Sequence, residues 1–412
     1  RQDRLTVIKE IKVAEPKTKE LIANLEKLGF KDINPITDWE EISLENVTLV
    51  FTPSLYRVPE HGLLALGESG AVWNMVDTMI DHAEAIRCKR RIGARKLDLL
   101  LWPYQPLMET HAPTNRLISF PVNHFRRQLE VVRVLQPKAV VPYSDGQFGV
   151  GGTAWLNHFK FPVSSGNGAA AARWVAPDCE IFEPHPGGII SIDQGTIAKR
   201  GSAPFVKAIA SSPADRQFDT TQQVPPLSNH NLPGDLKLTW SIEELTQRIL
   251  KAWRKIGGDK SLQPYLQASA RWRVTYRILL VTEEVNHSVE LSFQCGKESE
   301  SRAHGRRTTE DNYAQVRVLA GVLQAIFEAR LHFVAAFLSG LLRSSEMVYR
   351  VTKNGVETPL ILRDGTKEEP EHADTILCPV TLLNHLVGSQ ASIAQSVVDR
   401  EVERSLADHE QR

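Results

Sequence analysis

Three residues stand where short apolar runs end and polar loops begin, the positions at which side chains of layered proteins most often do chemistry. His61 lies in the proline-flanked loop Pro53-Ser-Leu-Tyr-Arg-Val-Pro-Glu-His-Gly62, directly after the apolar run NVTLVFT. Asp77 ends a later run, Trp73-Asn-Met-Val-Asp-Thr78, and Asp145 follows the run KAVVP in Tyr143-Ser-Asp-Gly146. A neutral imidazole nitrogen and carboxylate oxygens are the donor types that hold a divalent cation. Each residue also has a plainer reading. A loop histidine can simply be solvated, Asp77-Thr78 can open the next helix as an N-cap, and Asp-Gly after a strand is ordinary turn chemistry.

Other features carry less. Gly149-Val-Gly-Gly152 lacks the GxGxxG spacing of a dinucleotide loop and the Lys-Ser/Thr of a phosphate loop, so it reads as flexible loop. His185, in Glu183-Pro-His-Pro, reads as a loop histidine held between prolines. Trp102-Pro-Tyr-Gln-Pro106 and Phe120-Pro121 offer aromatic and prolyl walls for a pocket, or loop packing. Cys88, Cys179, Cys295 and Cys378 form no CxxC pair, so neither a zinc module nor a disulfide framework is readable.

Composition limits the partners. The chain has 412 residues, 49 Lys plus Arg and 49 Asp plus Glu, giving a formal net charge of zero. No basic field gathers phosphates, which argues against nucleic acid and anionic membranes and leaves a small molecule as the expected substrate. Arg1–Pro16 contains no continuous apolar h-region of a secretory signal. The longest apolar stretch, Val316–Gly340, carries Arg317, Glu328, Arg330 and His332, which suit a buried helix better than a transmembrane span. The expectation is a cytoplasmic protein.

The elements that must position these residues alternate between strand and helix. Thr18–Leu28 places Leu21, Ile22, Leu25 and Leu28 on one helical face, and Gly29 follows as a stop. Asn46–Thr52 reads as a strand, Gly62–Val76 as a hairpin turning at Glu68-Ser-Gly70, and Asp77–Arg91 as helix. Leu97–Trp102 is apolar enough for a strand covered on both faces, Asn123–Leu135 is helical, and Lys138–Pro142 is the next strand. This order predicts an α/β domain over 1–197, a polar, proline-rich linker over 198–235, and a smaller α+β domain over 236–412. Within the latter, a long helix is expected from about Tyr313. After Ala391 a charged amphipathic helix is expected, suited to solvent or to homo-oligomer contacts.

The run LEKLGFKDINPITDWEEISLENVTLVFTPS, the hairpin ending in WNMVDT, then LDLLLWPYQP, SFPVNHF and LQPKAVVPYSDG together resemble the metallo-β-lactamase-fold superfamily over about Leu21–Asp193. The branch most similar contains ascorbate-6-phosphate lactonase, N-acylphosphatidylethanolamine phospholipase D and CMP-N-acetylneuraminate hydroxylase. The resemblance implies a layered αββα domain, represented mainly by its second half. It also implies that Asp77 bridges metals and that His61 binds one of them. Zinc is the first expectation, with iron or manganese as alternatives. The family's HxHxDH cluster is absent from the sequence and would precede Arg1, so an N-terminally incomplete domain is expected. No histidine follows KAVVP where many members place their last ligand, and Asp145 stands nearby instead. The implied activity is metal-dependent hydrolysis of an ester, lactone, amide or phosphodiester, inactive in a fragment. The alternatives are an iron-dependent hydroxylase of the same fold, or a non-catalytic ligand-binding or oligomerising scaffold.

Overall fold

The computed structural model describes residues 22–23, 25–27, 29–31, 33, 35–54, 60–75, 77–106, 108–116, 118–143, 149–183, 187–206, 218–219, 221–228, 232, 234–282, 288–294, 297–301, 312–353, 355–362 and 375–388. The chain divides into two compact units. The first comprises Arg1–Leu107, Ser119–Gln147 and Lys160–Phe218, and the second Met108–Ile118, Phe148–Phe159 and Asp219–Arg412.

The first unit is built on one seven-stranded sheet in sequence order. Its strands are β1 (Glu41–Leu44), β2 (Val47–Thr52), β3 (Gly62–Gly67), β4 (Ala71–Asn74), β5 (Leu99–Pro103), β6 (Ala139–Tyr143) and β7 (Glu180–Ile181). β1 to β4 are antiparallel, whereas β4 to β7 are parallel. The parallel connections carry α1 (His82–Ile92), α2 (Val122–Leu135) and α3 (Ser165–Val175). Asp81 caps α1 by accepting from Glu84 N at 2.8 Å, and Ser164 caps α3 through Asn167 N. Asp77 is therefore not the cap.

Register explains why this sheet is sandwiched. Val50, Leu64, Trp73, Leu100 and Val140 line up across five strands, and each is fully shielded. Burying each of these side chains is worth on the order of 1.5–3 kcal/mol. On that face Trp102 Nε1 donates to Gln128 O of α2 at 3.1 Å. The opposite face, at Leu99, Ala139 and Val141, packs against Ile190, Ile192 and Ile197 of the hairpin β8 (Gly188–Asp193) and β9 (Thr196–Ser202). The layered α/β order expected from the sequence is what this unit has. Of the expected N-terminal helix, residues 22–23 and 25–27 are helical, and Gly29 follows with φ +91°.

The second unit packs α4 (Ile242–Gly257) and α5 (Gln263–Arg271) with a five-stranded sheet in the order β12-β11-β10-β13-β14. Its strands are β10 (Thr275–Val281), β11 (Ser288–Gln294), β12 (Lys297–Ser301), β13 (Tyr313–Leu319) and β14 (Leu342–Met347). The expected long helix from Tyr313 is corrected here. Tyr313–Leu319 is a strand, parallel to β10 and antiparallel to β14, and only Ala320–Phe327 (α6) and Phe333–Leu338 (α7) are helical. Apolar residues on both faces of an inner strand look helical in sequence, and pairing on both edges decides the outcome. Every residue of α6 is buried, and a Cβ at Gly321 would fall 2.1 Å from Leu236 O, so the glycine permits backbone contact.

Gly149–Gly152 is also more ordered than a flexible loop. Asn157 accepts from Gly149 N at 2.8 Å and donates to Gly149 O at 2.9 Å, closing the segment onto the 3₁₀ helix Gly151–Phe159. Within 198–235, residues 198–202 complete β9 and Leu227 is buried in the second unit's core. The expected tail helix after Ala391 lies outside the described residues. Among the described residues, no helix is long and apolar enough to cross a membrane.

Candidate functional site

The sheet register brings the candidate loops of the first unit to one edge. Thr52 at the end of β2 pairs with Gly62 at the start of β3, Asn74 ends β4 beside Leu101, and Pro103 ends β5 beside Tyr143 of β6. The chain after β2, before β3, and after β4, β5 and β6 thus emerges together, where the carboxyl ends of parallel strands form a binding crevice. His61 and Asp77 are both at this edge. Asp145, beyond β6, belongs to it by topology but lies outside the described residues, as does His185.

His61 is held tightly. Its side chain is 9% exposed, and its ring meets Phe51 edge-on at 6.1 Å. Nδ1 lies 3.4 Å from Asp38 Oδ1 without hydrogen-bond geometry, so neither ring nitrogen has a hydrogen-bond partner. The position is set by the next residue. A Cβ on Gly62 would lie 2.4 Å from Thr52 Oγ1 and 3.2 Å from Asn74 O, so only glycine lets the three strand ends close up. Thr52 is fully shielded and accepts from Trp73 Nε1 at 3.2 Å.

Asp77 is presented differently. Thr78 is buried, and both its N–H (2.9 Å) and its hydroxyl (2.7 Å) donate to Met75 O, closing a tight turn. Asp77 sits within that turn at φ +56°, a left-handed conformation that aspartate tolerates better than most residues, and its side chain is exposed. Ser54 joins the two loops, donating to Glu60 Oε1 at 3.3 Å and accepting from Met79 N at 3.3 Å.

Glu60 escaped the sequence reading although it adjoins His61. Burial pushes its carboxyl up to about 7, the Ser54 hydroxyl opposes this, and the Asp77 charge reinforces it. A carboxyl that titrates near neutrality can hold or release a proton at working pH. His124, on the first turn of α2 after β5, was also missed. Burial, and secondarily the Arg127 charge, lower its pKa, and its Nε2 is buried without a partner. Both features come from packing and leave no mark in residue spacing.

The orphaned, buried imidazole of His61 fits a metal ligand, because a neutral ring nitrogen kept dry and unpaired is what a cation would engage. Among the described residues, no three His, Cys, Asp or Glu side chains are grouped to hold a metal ion.

The aromatic wall expected after β5 proves to be mostly core. Trp102 and Tyr104 are buried with ring centroids 5.4 Å apart, and a Cβ on Gly168 would touch the Tyr104 ring at 3.1 Å. Tyr104 Oη accepts from Gln105 Nε2 at 2.6 Å. Phe120 is the accessible member, 41% exposed and stacked on Phe161 at 5.4 Å. At the opposite sheet edge, a shallow cleft of about 490 Å³ is lined by Glu41, Arg91 and Arg95 among others. Its arginines are already engaged, Arg91 by Glu41 and Arg95 by Gly67 O.

No family model matches the chain, and no curated protein matches it. Solved structures give partial likenesses. CmlA, a diiron β-hydroxylase from Streptomyces venezuelae, is 20% identical over 29% of this chain and 26% of its own, with a TM-score of 0.22. The metallo-β-lactamase fold protein YhfI from Bacillus subtilis is 12% identical over 43% of this chain and 61% of its own, with a TM-score of 0.26. In both, the matched part is less than two thirds of the other protein. What this chain's own geometry provides is one strand-end edge carrying a dry imidazole, an exposed aspartate and a carboxyl that titrates near neutrality.

Proposed function

We propose that the first unit is a metallo-β-lactamase-like domain and that the chain serves metal-dependent hydrolysis of an ester, lactone, amide or phosphodiester. The observation that carries this reading is His61, buried and unpartnered at the strand-end edge that also presents Asp77. The motif resemblance over Leu21–Asp193 supports it from the sequence side. His61 and Asp77 are the proposed ligands, with Asp145 as a further oxygen donor beyond β6. A bound divalent metal supplies a water of lowered pKa that is nucleophilic at neutral pH.

The remaining roles belong to the chain itself. Asp38 stands behind His61 Nδ1 and biases the ring to present its other nitrogen. Glu60 holds a proton up to about neutrality, positioned by the Ser54 hydroxyl. Phe120 offers an apolar surface to a substrate at the end of β5.

The test is equilibrium titration of the purified chain with Zn²⁺, Mn²⁺ and Fe²⁺, alongside a panel of chromogenic esters, lactones and phosphodiesters. Asp77→Ala and His61→Ala are expected to weaken metal binding at least tenfold, about 1.4 kcal/mol or more. Metal uptake untouched by both substitutions would move the site elsewhere. A second reading is a non-catalytic ligand-binding or oligomerising scaffold. It predicts no stoichiometric uptake of Zn²⁺, Mn²⁺ or Fe²⁺ in the same titration.

A further inference from the structure

We propose that the second unit binds a small oxyanion, a carboxylate or phosphate group, at Arg343 and Arg317, with the Arg343 guanidinium carbon over the Trp155 ring. The site is independent of the proposed metal chemistry. Arg317 of β13 and Arg343 of β14 are direct partners in the antiparallel ladder. Opposed side chains in such a ladder lie ~4.5–5.5 Å apart at Cβ, where like charges destabilise unless something negative joins them. On its other side Arg317 is paired with Leu279 of β10, so its register partners include no acid. The carboxylate further across the sheet, Glu290, is engaged by Arg277 at 3.5 Å.

Arg343 is the more constrained of the two. Its Cζ lies 4.3 Å from the Trp155 ring centroid, and Gly340 fixes the indole from the adjoining turn, since a Cβ there would meet Trp155 Cζ2 at 2.8 Å. Nη2 donates to Pro225 O at 3.2 Å, while Nε and Nη1 are buried without hydrogen-bond partners. Burial pulls the guanidinium pKa down to about 10, and the group remains charged at neutral pH.

A buried, unpaired guanidinium is costly, and an aromatic face repays only part of that cost. The unpartnered donors of Arg343, Nε–H and Nη1–H, are shielded from solvent in the structure, while Nη2 is taken by Pro225 O. A carboxylate or phosphate oxygen that displaces their cover can accept from them in a charge-assisted hydrogen bond. Arg317 is exposed and supplies a second positive charge at the mouth. A net charge of zero over the chain fits a small anion held locally rather than a long polyanion drawn by a general field.

The experiment titrates the full chain with inorganic phosphate and, separately, with citrate at constant ionic strength. Calorimetry and tryptophan emission are followed, with chloride as the reference. Saturable binding is expected from at least one of the two, and which one binds more tightly identifies the oxyanion. Arg343→Lys keeps the charge but loses the fork, and is expected to bind about tenfold more weakly. Arg317→Gln, at an exposed position, is expected to fold normally and also to weaken binding. It decides the matter if circular dichroism shows Arg343→Lys misfolded. Phosphate and citrate acting no differently from chloride would overturn the proposal, as would wild-type affinity in Arg317→Gln together with a folded Arg343→Lys.

Discussion

His61 Nδ1 lies 3.4 Å from Asp38 Oδ1, while the ring's other nitrogen is buried with no partner. A carboxylate near one nitrogen of an imidazole favours the proton on that nitrogen and so leaves the other one as the donor to a cation. Asp38 is half exposed, so this contact contributes to orientation rather than to stability. Asp38→Asn should therefore leave the unfolding midpoint nearly unchanged and weaken Zn²⁺ affinity by about 10- to 100-fold. An unaltered metal titration would separate Asp38 from the site.

Gly62 tests the closeness of the strand ends. Its substitution by alanine places a methyl 2.4 Å from Thr52 Oγ1. The expected destabilisation is about 1–3 kcal/mol, read by urea denaturation. Thr52→Ala in the same chain removes the clashing atom, so the double variant should lose less than the two single losses added together. Strict additivity would show that the strain lies elsewhere.

Asp98 predicts a large loss far from the candidate site. Its buried carboxylate accepts from Ala71 N at 2.7 Å and holds Lys138 Nζ at 2.7 Å, joining the starts of β4, β5 and β6. Asp98→Ala strands a buried backbone N–H and frees the lysine, at a cost of about 3 kcal/mol. The metal titration of the folded variant should match that of wild type, because the lesion is at the opposite sheet edge.

His124 predicts an acid sensitivity. Burial first, and the Arg127 charge second, lower its pKa in the folded state below the ordinary 6.5. The unfolded chain therefore takes up the proton more readily. The stability linked to this group is fully present above pH 6.5 and is lost as pH falls through the lower folded value. His124→Phe should flatten the decline of the unfolding midpoint between pH 7 and pH 5 relative to wild type. Parallel curves for the two proteins would remove His124 from the acid response.

Much of the first unit was legible because its signals are local. Leu97–Trp102 reads as a doubly covered strand, and Leu99–Pro103 is an inner parallel strand, paired on both edges. The turn at Glu68-Ser-Gly70 was readable from its residues, and β3 and β4 form the antiparallel hairpin it implies. The second unit was less transparent. Tyr313–Leu319 is apolar enough for a buried helix, and its pairing with β10 and β14 is a contact with chain far away in sequence.

The candidate site divides in the same way. Residue type and position alone mark His61 and Asp77 as donors beyond apolar runs, and periodicity alone orders the strands and helices that carry them, because both depend on neighbours within a turn or two. The dryness of His61, the raised Glu60 carboxyl and the fork of Arg343 on Trp155 were not readable. Each arises where segments tens to hundreds of residues apart exclude water from one polar group, and desolvation is a property of packing that no local spacing records.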